Sequence, residues 1–180
     1  MSSAERIIVL GCSGAGKSTF TRMAAKALDL PAVHLDQLFW QPGWVEGDLD
    51  AFTTEVAGIA QQEKWIVDGG YSITWPHTMP RAHAIVYLDL PRWKCMLGVI
   101  KRIFTTYGKV RPDSAPGCPE RFDLEFLLYV WTWKKKVRPR MLRAIAERPP
   151  GCALYTVYRR RDMKKIVGAL QVIDPFTPHR

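Results

Sequence analysis

Gly11-Cys12-Ser13-Gly14-Ala15-Gly16-Lys17-Ser18 is the stretch on which the fold of this chain turns. The octapeptide satisfies G-x-x-x-x-G-K-[ST] in full, the pattern of a phosphate-binding loop. Its spacing has a chemical reason. Glycines let the backbone curl so that successive N–H groups point inward at phosphate oxygens. A helix starting directly behind them presents its positive N-terminal end. Lys17 is then placed to reach the β- and γ-phosphates, and the Ser18 hydroxyl to ligate magnesium. The expected ligand is ATP with Mg2+, held by Gly11, Ser13, Gly14, Ala15, Gly16, Lys17, Ser18 and Thr19, with Lys17 also serving catalysis.

The flanking sequence supplies what such a loop needs. Residues 7–10 are a short β-branched apolar run, the mark of a buried strand. From Lys17 the composition is helical. Further strands are expected at 31–35, 65–67, 84–88 and 153–157. Helices are expected at 49–62 with Asp48 as its cap, at 92–106, from about 123 with a break at Pro139, and at 163–170. Residues 39–47 read as a loop rich in Trp, Pro and Gly. Strands alternating with helices imply a parallel sheet covered on both faces. The 180 residues suit one domain. Gly108, Pro112, Pro116, Gly117 and Pro119 interrupt regular structure, so 107–121 is expected to be a mobile lid inserted in that domain.

In open parallel sheets, ligands sit beyond the carboxyl ends of the strands. Two acids fall there, Asp36 after 33–35 and Asp68 after 65–67. An acid behind an apolar strand suits the magnesium shell, and Asp68 fits that role because Gly69 lets the chain turn away at once. Asp36 is expected to orient or deprotonate an acceptor hydroxyl. Phe39, Trp40 and Trp44 follow Asp36, and Tyr71 and Trp75 follow Asp68; such aromatics can sandwich an acceptor ring or simply pack. Arg102, Arg111, Arg121, Arg138 and Arg140 surround the lid stretch. Mobile arginines neutralise charge on a transferred phosphoryl group, and Arg102, Arg111 and Arg121 are the candidates. His34, His77, His83 and His179 read as structural or surface residues.

The net charge of +9 favours anionic partners, whether nucleotide or nucleic acid. Cys12, Cys95, Cys118 and Cys152 lack zinc-site spacing and read as free thiols in a reducing compartment. No apolar run has the length of a signal-peptide core or a membrane span, so a cytoplasmic protein with no membrane partner is expected.

Beyond the loop, a series of motifs accumulates: residues 35–40 (LDQLFW) with Pro42-Gly43-Trp44, 65–71 (WIVDGGY), 88–92 (LDLPR), Lys101-Arg102, Arg111-Pro112-Asp113, 117–120 (GCPE), 123–127 (DLEFL) and Arg138-Pro139-Arg140. In this order they resemble the bacterial DNA-topology-modulation family of adenylate-kinase-like P-loop NTPases, over most of the chain. The resemblance implies the nucleoside-monophosphate-kinase fold, a three-layer α/β arrangement around a five-stranded parallel sheet in the order 2-3-1-4-5, with a short lid. It also implies ATP binding and kinase-type chemistry. The chain departs from the family at Gly70, where Asn is usual. Adenylate kinases clamp the acceptor phosphate with an arginine shortly after the second strand; here that segment has none, and Arg81 is the candidate substitute. The substrate-binding set is therefore Asp36, Phe39, Trp40, Asp68, Gly69, Tyr71 and Arg81. Two readings follow: a phosphotransferase acting on a nucleotide, nucleoside or other hydroxylated small molecule, or a nucleotide-dependent nucleic-acid-binding protein or slow ATPase switch.

Overall fold

A computed structural model describes residues 3–172. Five strands form the main sheet: β1 (Arg6–Gly11), β2 (Ala32–His34), β3 (Trp65–Asp68), β4 (Ala84–Leu88) and β5 (Ala153–Val157). They lie parallel in the order β2-β3-β1-β4-β5, the order expected. β1 sits at the centre, and its neighbouring residues Val9 and Leu10, which point to opposite faces, are both fully buried. Helices therefore cover both faces of the sheet.

Among the described residues, eight helices connect and flank the strands: α1 (Lys17–Leu28), α2 (Leu35–Phe39), α3 (Leu49–Gln61), α4 (Trp75–Thr78), α5 (Arg92–Thr106), α6 (Leu124–Lys136), α7 (Arg138–Ala146) and α8 (Met163–Leu170). Local chemistry explains several boundaries. Asp48 accepts the Ala51 N–H at 2.7 Å and starts α3; Asp123 accepts the Phe126 N–H at 3.0 Å and starts α6. Pro139 stands in the first turn of α7, where its missing N–H costs nothing, and the long helix expected from 123 breaks at Val137. α5 buries Cys95, Val99 and Ile103, one side chain per turn. No helix of the described residues is long and apolar enough to cross a membrane.

Three local expectations are corrected. The second strand stops at His34, and Leu35 opens α2 instead of closing the strand. The 39–47 stretch contains a short antiparallel hairpin, Trp40–Gln41 with Val45–Glu46. Residues 72–81, given no element, wind into 3-10 turns on either side of α4, where Pro76 and Pro80 preset the backbone for a helical turn.

The register fixes what meets at the sheet's carboxyl edge. Gly11 pairs with Leu88, Val9 with Asp68, and His34 with Asp68. The loop, Asp68 and the start of α2 therefore open at one edge. At Gly69 the chain leaves β3 with φ at 150°, and an added Cβ would lie 2.7 Å from the Leu35 side chain. Only glycine allows this close approach of β3 to α2.

Candidate active site

The 11–18 loop is held by backbone geometry. Gly14 has φ at 75°, and an added Cβ would stand 2.2 Å from the Cys95 carbonyl oxygen, so the loop lies directly against α5. Gly16 occupies the N-cap of α1 without a side-chain cap bond. The first N–H groups of a helix have no intrahelical acceptor, and here they open into the cleft beside Lys17, Ser18 and Thr19. Lys17 Nζ lies back over the loop, donating to the Cys12 carbonyl at 3.2 Å. This set of N–H donors, ammonium and hydroxyl fits a polyphosphate with a bound divalent cation. Ala15 is the exception. It is fully buried and its N–H is spent on the Cys12 carbonyl at 3.2 Å, so it closes the loop and does not face a ligand.

Asp68 and Asp36 occupy the same cleft in different settings. Asp68 is buried, and its Oδ2 lies 3.0 Å from His34 Nδ1. Burial alone would discharge the ring, but the bond to the Asp68 carboxylate outweighs it and raises the His34 pKa above its ordinary value. Asp36 is exposed to the cleft and accepts the Tyr71 hydroxyl at 2.7 Å. Burial, and then the Asp36 charge, push the Tyr71 pKa up, so the phenol remains a donor to that carboxylate.

The 107–121 segment packs down over the cleft. Asp113, Ser114, Ala115, Cys118 and Glu120 are buried, which a loose flap does not allow. Glu120 is the hub: its carboxylate accepts Arg102 at 2.9 Å and Arg111 at 3.0 Å. Arg111 also reaches Asp113 at 2.9 Å, and Arg22 of α1 reaches the other Asp113 oxygen at 3.3 Å. Burial would raise the Asp113 pKa; Arg111, the nearby Ser18 hydroxyl and Arg22 together hold it below the usual carboxylate range. Arg121 lines the cleft, more exposed, paired with Asp123 at 3.3 Å. Five further bonds tie the segment to α2 and the hairpin: Gln37 to the Pro112 and Ser114 carbonyls, Gly43 N–H to Gly117, Cys118 to Gln41, and the Trp44 indole to Pro119.

The cleft itself measures about 1070 Å³ and runs from the loop to Asp36 and Tyr71. Trp40 and Trp44 meet edge to face at 5.7 Å along its far wall. Two expected substrate residues are absent from it. Phe39 is buried beneath, packed on Phe52 and Tyr71, because its place in α2 points it to the core. Arg81 precedes β4 and so lies at the sheet's amino edge, where it donates to the Gln61 carbonyl. Arg138 turns to Asp89 behind β4, at 2.6 and 3.1 Å, and neither it nor Arg140 lines the cleft. His179 lies outside the described residues.

No family model matches the chain, and no curated protein matches it in sequence. Solved structures match over nearly its whole length. A shikimate kinase from Bacteroides thetaiotaomicron is 19% identical, with a TM-score of 0.55 over 94% of this chain and 97% of that one. A gluconokinase from Sinorhizobium meliloti 1021 is 16% identical, with 0.53 over 95% and 91%. A shikimate kinase from Acinetobacter baumannii in complex with shikimate is 17% identical, with 0.55 over 92% of each. The fold is that of the P-loop kinases.

Within this kinase-like fold, sequence reading missed residues whose partners are remote. His34 was read as structural or surface; its distance from Asp68 along the chain hid the pair. Asp113 and Glu120 stand in motifs of the resemblance, Arg111-Pro112-Asp113 and 117–120, but nothing local says which arginines they meet. Arg160 reaches the loop from the turn after β5, donating to the Gly14 and Ala15 carbonyls, and lines the cleft with Arg161 and Lys164.

Proposed function

We propose that this protein is an ATP-dependent phosphotransferase that moves the γ-phosphoryl group of Mg-ATP to a hydroxyl of a small acceptor. The observation that carries this reading is the single cleft joining the phosphate loop to the Asp36–Tyr71 pair beneath a basic lid. Likeness to structures named shikimate kinase and gluconokinase supports it, as does the resemblance to the topology-modulation family.

In this reading the loop N–H groups and Lys17 hold the phosphates. Ser18 and Asp68 hold magnesium, and Asp113, beside the Ser18 hydroxyl, adds a carboxylate on the same side. The metal, when bound, neutralises charge on the phosphate oxygens. Asp36 takes the proton of the acceptor hydroxyl, with Tyr71 fixing the carboxylate's orientation. Trp40 and Trp44 wall the acceptor from water. Arg102 from α5, and Arg111 and Arg121 from the lid, face the transferred group. The part of the cleft lined by Arg160, Arg161 and Lys164 takes the nucleoside. Arg102, Arg111 and Arg121 are engaged with Glu120, Asp113 and Asp123, which supports a lid over a compact anion and not an open nucleic-acid groove.

A thermal-shift screen of nucleotides, nucleosides and hydroxylated metabolites, with and without Mg-ATP, tests this. A ligand at 100 times its dissociation constant stabilises by about 2.7 kcal/mol, roughly 5–11 °C for a chain of this size. Mg-ATP is expected to give such a shift in the parent and none in Lys17→Ala. Equal shifts in both proteins would end the assignment of the loop.

A further inference from the structure

α5 and α6 each have two working faces, and only one pair of them belongs to the cleft. On α5, Lys101 and Arg102 face the cleft or its rim, while Trp93, Leu97 and Phe104 follow the opposite flank at helical spacing. On α6, Leu124, Leu128 and Trp131 form the matching outer stripe. Tyr107 and Phe122, at the two roots of the lid, join them. A groove of about 280 Å³ between Ile100, Phe104, Tyr107, Phe122 and Leu127 makes the surface continuous. The Arg92 guanidinium, 4.4 Å over the Trp131 ring, closes its other end.

The exposures of these eight side chains run from 43% to 83%. With about 150–250 Å² per aromatic side chain, the face amounts to roughly 1,000 Å². The largest apolar patch on an ordinary monomer is about 300–600 Å², and each partner of a standard stable interface buries about 800 Å². The face is therefore large enough for a specific protein interface by itself.

We propose that this face pairs with a second copy of the chain, as an isologous dimer with the two α6 helices antiparallel. Charge chooses this occupant. α6 carries Glu125 in its first turn and Lys135 and Lys136 exposed in its last, Lys134 being turned inward to Asp89. A two-fold axis between Leu128 and Trp131 sets Leu128 of one copy on Trp131 of the other. The same axis sets Glu125 level with residue 134 of the second copy, so that the exposed Lys135, one residue on and about 1.5 Å along the helix, is within its reach, twice per dimer, with the helix dipoles opposed. An anionic lipid surface would suit Lys135 and Lys136 at one end of the stripe but not Glu125 and Asp123 at the other, whereas a two-fold mate meets both ends with opposite charge. Phe104, at 83% exposure, stands at the lip of the groove and supplies a projecting side chain of the kind the groove accepts.

Sedimentation equilibrium of the full chain over a concentration series is the test, independent of any ligand or turnover. A dimer is expected, and Leu128→Glu should make it monomeric with unchanged circular dichroism, since the position is exposed. Glu125→Lys alone and Lys135→Glu alone should each weaken dimerisation about threefold to tenfold, the scale of two exposed ion pairs. The double variant Glu125→Lys/Lys135→Glu should restore it. A monomer at every concentration overturns the proposal, as does a monomer that floats with phosphatidylserine vesicles. A dimer untouched by Leu128→Glu, or single swaps that the double variant fails to rescue, overturns the antiparallel pairing.

Discussion

The phosphate end and the acceptor end of the cleft are built from different materials. At the phosphate end, backbone does the holding: glycine conformations, a helix start and one lysine, all within eight consecutive residues. At the acceptor end the parts are side chains gathered from α2, the turn after β3, α5 and the lid, held by Tyr71–Asp36 and by arginine–carboxylate pairs. A backbone-built site is rigid once its strand and helix form. A site held by long side chains can reorganise when a ligand replaces one partner, which suits an acceptor pocket that must close and reopen.

The sharpest way to break this contrast is to alter one carboxylate at each end. Asp36→Asn should lower phosphoryl transfer by about 10²–10⁴-fold, the range for loss of a general base, and leave ATP affinity within about twofold by calorimetry. Asp68→Asn should instead weaken the magnesium dependence of ATP binding. If the two variants match in both assays, the cleft has no division of labour.

The same contrast explains what the sequence disclosed. The strands, the loop and the break at Pro139 were legible because each is encoded locally, by β-branched runs, glycine spacing or a missing N–H; the sheet order came only with the family resemblance. Asp36 and Asp68 were legible because strand ends are. The hub at Glu120 was not, because it joins Arg102 on α5 to Arg111 on the lid, and no local pattern records which acid a given arginine meets. Phe39 and Arg81 misled for the opposite reason. Both follow an acid at a strand's carboxyl end in sequence, but a short helix swung Phe39 inward, and the turns leading to β4 carried Arg81 to the far edge of the sheet.

Glu120 offers a second, smaller test. Glu120→Gln keeps some hydrogen-bonding capacity but leaves Arg102 and Arg111 facing each other without an intervening charge, partly buried. Burial and then Arg111 already lower the Arg102 pKa. Breaking a buried ion pair outright costs about 3–5 kcal/mol, so a loss of about 2 kcal/mol is expected for the amide, or roughly 4–8 °C in melting temperature. Trypsin should then cut at Lys109 or Arg121 faster than in the parent, while the Mg-ATP shift persists because the loop is untouched. A lid as resistant to trypsin as the parent's would mean that the hairpin bonds, and not Glu120, hold it down.

The smallest effect concerns His34, where the two ends of the cleft adjoin. Its pKa is raised because Asp68 favours the charged ring, with Asp113 adding to this and Arg22 opposing it. A group whose pKa is higher folded than unfolded stabilises the fold fully below its unfolded value, about 6.5 for histidine. That stability fades as pH rises through the raised folded value. The parent should therefore lead His34→Asn in melting temperature at pH 6, and the lead should shrink above about pH 6.5. A bond to a charged group exceeds a neutral one by about 1 kcal/mol, so the closing of the gap should be about 2–4 °C. Magnesium sharpens the test. If Asp68 serves the metal, a cation there competes with the ring for the carboxylate's charge, and with Mg-ATP present the gap should close at lower pH. A gap that is flat from pH 6 to 8.5 would show that the ring is bound neutral. A gap unmoved by Mg-ATP would place the metal away from Asp68 and leave Ser18 and Asp113 as its neighbours in the cleft.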